Sequence, residues 1–439
     1  MPILPPRLGF KMMSNAPTFF RDFATNKTLD HGFGPSITFT RTGTATYFDS
    51  SGTMTTATAN TPRFDHDPST LESKGLLIEE GRTNSLPNSQ MSGAVTGSAG
   101  TTPTGWGISG NANGLTRTIT VGSINGFSYI DVKFVGIVTG GPINLLFDPQ
   151  STAAGYTTSL GQTWTSSCYL ALIAGSFPSG STPSVKITER NSSNTFLASS
   201  DVSFSIITST LKRFSVSRTL DQSTVAKVTL DIRVDSVPNG TSVDFTLRIA
   251  APQLELGAFA TSYIPTTSVA VSRGADVAII TPITSFYNQS EMSLFGEIQR
   301  FGTSTFSGII SLHTDANSTT DEIYFTQARS PVASQAIGGV FASTSGTIVG
   351  IDTGASFTNM NEITKVSSGV KSGDFFVTSK SSTSTTGTGS TSASQSLISA
   401  TKMRIGARAN STTFLNGHIR KVGYWPRRLT NANLQAMTA

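Results

Sequence analysis

Between residues 115 and 256 the chain reads as short runs, apolar or alternating apolar with polar, separated by Gly, Ser and Asn. A period of two puts successive side chains on opposite faces of a strand. Such a stretch can bury one face of a sheet but cannot build long amphipathic helices. The runs are 115–121 (LTRTITV), 128–138 (SYIDVKFVGIV), 163–174 (TWTSSCYLALIA), 184–190 (SVKITER), 212–220 (KRFSVSRTL), 227–235 (KVTLDIRVD) and 244–256 (DFTLRIAAPQLEL). Seven strands in one stretch fit a β-sandwich of jelly-roll type.

A second series follows: 291–301 (EMSLFGEIQRF), 308–315 (GIISLHTD), 321–328 (DEIYFTQA), AIGGVFAS, GDFFVTSKS, 402–409 (KMRIGARA) and 414–425 (FLNGHIRKVGYW). Within it, 381–401 has no charged residue and reads as a loop or a pair of polar edge strands. Asn416-Gly417 predicts a type I′ hairpin turn. The final PRRLTNANLQAMTA predicts a short helix with Thr430 as N-cap and Leu429, Leu434 and Met437 on its apolar face. Between the two series, residues 251–276 hold Phe259, Tyr263 and Pro265 and read as the seam. Residues 1–94 have strand signals around Ile37, Phe39 and 76–78 and an aromatic cluster, Phe19, Phe20 and Phe23, but too little apolar material for a core of their own. The expected architecture is all-β. An extended N-terminal segment (1–94) precedes two jelly-roll-like β-sandwiches (95–267 and 268–439) and a short C-terminal helix.

A length of 439 residues suits two or three such domains, and 13% charged residues with 41 glycines suits short strands and polar loops. A net charge of +5 spread over this length, without a Lys/Arg run, argues against nucleic acid as partner. No window is apolar for long enough to cross a membrane as a helix. The opening MPILPPRLGFKMM lacks the apolar core and cleavage pattern of a signal peptide, so synthesis in a cytoplasm is expected. The one cysteine, Cys168, sits in a core-like strand and is expected to be a buried thiol.

No catalytic constellation emerges. The pairs Asp65/Asp67 around His66 and Glu79-Glu80 read as loop residues pairing locally with Arg63 and Arg82. His31, His66, His313 and His418 each stand alone, His418 at an expected exposed strand position. No Gly-x-Ser-x-Gly elbow or phosphate-binding glycine loop is convincing. A glycosidase needs two carboxylates at a fixed separation. Glu189, Glu255, Glu291 and Glu297 are available, but spacing does not pair them. Asp315, Asn317, Asp321 and Asp352 offer oxygen ligands for Ca2+, though their spacing matches no defined loop. No other cofactor is expected. Trp106, Tyr129, Tyr156, Trp164 and Tyr169 could stack on a sugar if exposed, or lie in the core. Tyr156 in a glycine-flanked loop is the expected exposed one. With Gln162 and Trp164 it forms the candidate glycan site, against the competing burial of Trp164.

Two stretches carry a resemblance. APQLELGAFATSYIPTTSVAVSRGAD, with FTRTGTATYFDSSGTM, PRFDHDP and GLLIEEGRTN upstream, resembles segments of tail, fibre and decoration-type virion proteins of tailed bacteriophages. There a carbohydrate-binding-like sandwich hands over to a concanavalin-like one. MRIGARANSTTFLNGHIRKVGYWPRRLTNANLQAMT resembles the closing strands and terminal helix of a concanavalin A-like or laminin-G-like sandwich. The resemblance implies a non-enzymatic virion structural protein: a homo-oligomer, with a trimer expected, in contact with other virion proteins. It implies a place on the virion surface, after synthesis in the bacterial host, and contact with bacterial surface polysaccharide. The alternatives are a virion-borne glycan-degrading enzyme and a lectin-like adhesin.

Overall fold

The computed structural model describes residues 16–108, 114–147, 155–205, 207–301, 306–314, 321–329, 338–353, 362–382, 386–409 and 413–439. Its strands pair antiparallel throughout, and the chain divides into two compact units. One comprises residues 53–56 and 81–273; the other comprises residues up to 52, 57–80 and 274–439.

The unit of residues 81–273 contains two six-stranded sheets. The first runs Lys212–Thr219, Thr163–Gly175, Ser242–Leu256, Phe127–Ile137, Leu115–Ile124, Gly97–Ser98. The second runs Gly107–Ile108, Ile143–Leu146, Lys227–Asp235, Thr182–Arg190, Phe196–Ser203, with Tyr156–Thr157 also on Lys227–Asp235. All seven strands expected from the pattern are present. Alternation fixes what faces inward. Ile130, Val132 and Phe134 meet Phe245, Leu247 and Ile249 on one sheet, and Val185, Ile187, Leu230 and Ile232 come from the other. All are fully buried in one shared cluster. Each contributes about 1.5–3 kcal/mol of burial, so the two sheets hold together as a sandwich. Cys168 is buried in this core, and burial pushes its thiol up, so it is protonated and inert.

The other unit packs a nine-stranded sheet and a seven-stranded sheet around a second core. Here the N-terminal segment finds its partners. Phe19–Asp22 and Ser73–Ile78 both pair with Gly417–Trp425, and Thr38–Thr40 pairs with Val277–Ile280. The pairing partner is this chain's own C-terminal part. Buried Arg21 ties the segment down further by donating to the carbonyls of Leu29, Phe33, Gly34 and Pro35.

Two local expectations change. Asn416 does adopt a positive φ of 50°, but Asn416-Gly417 is not a hairpin turn. It links Lys402–Ile405 in the seven-stranded sheet to Gly417–Trp425 in the nine-stranded one, so the flanking strands do not pair with each other. The uncharged 381–401 stretch supplies one edge strand, Gly387–Thr391, on Asp374–Ser381. The C-terminal helix Asn431–Thr438 forms as expected. Thr430 accepts from the backbone N–H of Asn433 (3.3 Å), and Leu429, Leu434 and Met437 pack with Phe20, Phe295, Phe376 and Trp425.

Candidate functional site

The conspicuous segments turn out to be structural. In the first unit Asn84 donates to Ile264 O (2.9 Å) and accepts from the N–H groups of Leu86 and Leu254. Ser89 meets the Tyr263 hydroxyl (2.7 Å) and accepts from Thr266 N (2.9 Å). Glu255, its carboxyl pushed up by burial, accepts from both Thr261 donors. Thus RTNSLPNS and QLELGAFATSYIPTT are cross-stitched by buried polar groups that would be costly to leave unpaired.

In the other unit Asp276 bridges Arg41 (3.2 Å) and Arg63, and Arg63 also reaches Glu79 (2.8 Å), with every side chain fully buried. The two carboxylates push the Arg63 guanidinium up against its burial. Arg63 therefore pairs with Glu79 as expected, while Arg82 instead donates to Leu256 O and lies over the Phe259 ring. His418 is not exposed. Its Nε2 sits 2.7 Å from Asp65 Oδ2, and burial holds its pKa below the usual value. Asp67 and Glu79 pair nearby in sequence, with Lys74 (3.1 Å) and Arg63, whereas Asp65 and Glu80 meet His418 and Asn416 more than three hundred positions away.

The glycosidase carboxylates are likewise committed. Glu189 is held by Arg218, Glu297 by Arg420 (3.0 Å) and Lys421 (3.3 Å), and Glu291 faces Lys371 (3.8 Å). Asp315 and Asn317 lie outside the described residues. Asp321 accepts from Ser345 N (2.9 Å), and Asp352 sits in the strand Thr347–Asp352. Among the described residues no group of three or more His, Cys, Asp or Glu is placed to hold a metal ion.

Of the expected glycan residues, Trp164 is in the core, 7% exposed, its indole donating to Thr158 Oγ1 (2.8 Å). Gln162 accepts from Thr158 and from Ser159 N, which ties it to the same turn. Tyr156 is half-buried, pairs with Val228 and packs against the core rather than standing out on a loop. Trp106 is also buried, edge-on to Phe147. None of these four presents an open platform. Gln162 and Trp164 meet through Thr158 as a structural turn, while Tyr156 pairs on the other sheet.

The outer face of the first sheet carries two further tyrosines, and Phe127 packs 4.6 Å from the second of them, Tyr169. Tyr129 lies directly opposite Ala250, and Ala250 directly opposite Tyr169. Adjacent strands are about 4.8 Å apart, so the two tyrosines stand about 10 Å apart across one small residue. Both are half-buried. Gly122 lets the first ring lie flat, because a Cβ there would come 2.4 Å from the Tyr129 hydroxyl. The Arg248 guanidinium stacks 3.6 Å from the Tyr129 centroid and is held bidentately by Asp131 at 2.7 and 2.8 Å. That hydrogen bonding raises the Arg248 pKa. Arg213 lies over Tyr169 (5.7 Å) and donates to Ser167 (3.0 Å). Both tyrosines are visible in the sequence, but nothing local sets them apart from the other aromatics. Their shared face depends on the pairing of three strands, two of them over a hundred residues apart. A depression of about 270 Å³ beside Arg82, Thr83, Leu256 and Ser272 gathers no comparable set, since Arg82 is committed to Leu256 and Phe259.

No protein-family model and no curated protein matches this chain. Among solved structures, the N-terminal CBM22-1-CBM22-2 tandem domain of Paenibacillus barcinonensis Xyn10C aligns over 77% of this chain and 98% of its own. The identity is 11% and the TM-score 0.21, too low to bear on fold or function.

Proposed function

We propose that the protein is a non-catalytic, glycan-binding β-sandwich protein, an adhesin in the broad sense. The observation that carries this reading is the Tyr129–Ala250–Tyr169 row with its Arg248–Asp131 pair. A pyranose offers C–H faces that pack on aromatic rings and hydroxyls that need donors and acceptors beside them, and this row offers both. The absence of turnover is supported by the fate of the candidate carboxylates, which are committed to arginine, lysine or threonine partners.

The test is capture of the full chain on immobilised bacterial polysaccharides, alongside a reducing-end assay. Binding should fall tenfold or more in Tyr129→Ala/Tyr169→Ala with an unchanged circular-dichroism spectrum, and no new reducing ends should appear. Release of reducing ends would move the protein to the hydrolases, and equal binding by the double variant would remove the tyrosine face from consideration.

A virion-surface setting, as a tail, fibre or decoration component, is the finer form of this reading. It is supported by the resemblance of residues 251–276 and of the C-terminal stretch to tailed-phage virion proteins. On that form the protein assembles as a trimer and contacts other virion proteins. Weak single-site binding is then multiplied by the number of copies on a particle. Sedimentation of the purified chain as a monomer at micromolar concentration would count against the trimer.

A further inference from the structure

We propose that the glycan recognised by the tyrosine row is anionic, and that Arg213, at the edge of the first sheet, receives its carboxylate or phosphate oxygen. The inference rests on the glycan-binding reading above and names the class of sugar which that reading leaves open.

Strand pairing extends the row in both directions. Arg213 lies opposite Tyr169, Tyr169 opposite Ala250, Ala250 opposite Tyr129 and Tyr129 opposite Gly122. Directly opposed residues share a face, so all of them belong to the outer one. Arg213 stands at the open end, because its strand, Lys212–Thr219, is the last of the sheet.

The cations of this face differ in what balances them. Arg248 is held by both oxygens of Asp131 (2.7 and 2.8 Å), which neutralise it. Lys133 has Asp244 at 3.4 Å. Arg213 is half-buried and has no carboxylate at ion-pair distance among the described residues. Glu255 feels its charge, but burial pushes that carboxyl up and both its oxygens accept from Thr261. Arg213 Nε is enclosed, and Nη2 donates to Ser167 at 3.0 Å. Nη1 makes no hydrogen bond among the described residues and is not enclosed, so an acceptor can approach it from solvent. Exposed Lys212 beside it, its ammonium 5.8 Å from the Phe214 ring, adds to the positive potential.

That arrangement discriminates by charge. A fully exposed ion pair contributes little, because water screens it and two long side chains must be ordered. Arg213 meets neither objection in full. The Tyr169 ring, 5.7 Å away, shields one side of the guanidinium, and the bond to Ser167 already fixes its orientation. A bond from Nη1 to an anion is then charge-assisted and formed without ordering the arginine. A neutral sugar packs on the same rings but gives Nη1 only a hydroxyl, and a cationic sugar is repelled. The rings hold the glycan, and Arg213 selects its charge.

The experiment immobilises three polymers and measures capture of the full chain at low salt: a uronic-acid polysaccharide, the same polymer with its carboxyl groups reduced to alcohols, and a phosphodiester-linked polysaccharide. The wild type should bind at least one anionic polymer about tenfold more strongly than the reduced one, the worth of one charge-assisted hydrogen bond. Which of the two it prefers identifies the anion. In Arg213→Gln, with an unchanged melting temperature, that ratio should fall to about threefold or less. Arg213→Lys keeps the charge without the planar fork and should fall between the two. A wild-type ratio near one overturns the proposal, and this arm needs no variant to fold. So does a ratio undiminished in both variants. If Tyr129→Ala/Tyr169→Ala abolishes capture while the ratios refute Arg213, only this inference fails; if no polymer is captured, the broader glycan-binding reading fails as well.

Discussion

Asp231, on the central strand Lys227–Asp235 of the second sheet in the unit of residues 81–273, makes a prediction about stability. Its carboxyl is lifted from 3.8 to about 6, with burial as the largest cause, opposed by Arg233, Lys186 and Arg190 and reinforced by Asp235. Because the folded pKa is raised, the folded state holds a proton that the unfolded chain releases between these two values. The contribution is fully present below pH 3.8 and is lost as pH rises through 6. At about 1.4 kcal/mol per pKa unit, the ionised group destabilises this unit by about 3 kcal/mol at neutral pH. Asp231→Asn keeps the shape and removes the charge. At pH 7.5 it should therefore be the more stable protein by up to about 3 kcal/mol, the advantage shrinking towards pH 4. Native-state hydrogen exchange of peptides covering Lys227–Asp235 isolates this unit from the other one. A variant less stable than wild type at pH 7.5, or an advantage independent of pH, would refute the reasoning. It would mean that attraction to the three cations, and not desolvation, controls the group.

The remaining predictions concern the two cores. Asp276→Asn leaves Arg41 and Arg63 buried with one carboxylate between them, and should cost about 3–5 kcal/mol in chemical denaturation, whereas a change within 1 kcal/mol would show that the network contributes little. His418, its pKa held down mainly by burial, takes up a proton more readily unfolded than folded. The stability this contributes is present above pH 6.5 and lost as pH falls below it; His418→Gln should flatten that loss, as read from denaturation midpoints at pH 5 and 7.5. Trp164→Ala should cost about 3–5 kcal/mol as a core truncation, while Tyr129→Ala should cost about 1 kcal/mol or less, and similar losses in the two melts would contradict their placement.

Much of the fold was legible because a strand's register is written locally. Period-two alternation announced seven of the long strands of the first unit, and Thr430 with Leu434 and Met437 announced the terminal helix. Strands without that pattern escaped notice. Phe196–Ser203 is an edge strand with no deeply buried face, and Ile143–Leu146 is too short to show a period. Turn chemistry read from two residues also misled at Asn416-Gly417, since the left-handed conformation there serves a crossing between sheets.

Function-bearing detail divided along the same line. The sequence by itself determined that the chain is all-β, that Cys168 is a core thiol and that its acids form no motif for a known reaction. Only tertiary structure decided which polar residues are spent on the fold. Asp65 and His418, Glu80 and Asn416, and Arg63 and Asp276 meet across more than two hundred residues, and no local spacing encodes those meetings. The same holds for the surfaces. Whether an aromatic is core or platform depends on which face of which sheet the pairing gives it. That choice buried Trp164 and set Tyr129 and Tyr169 side by side across Ala250.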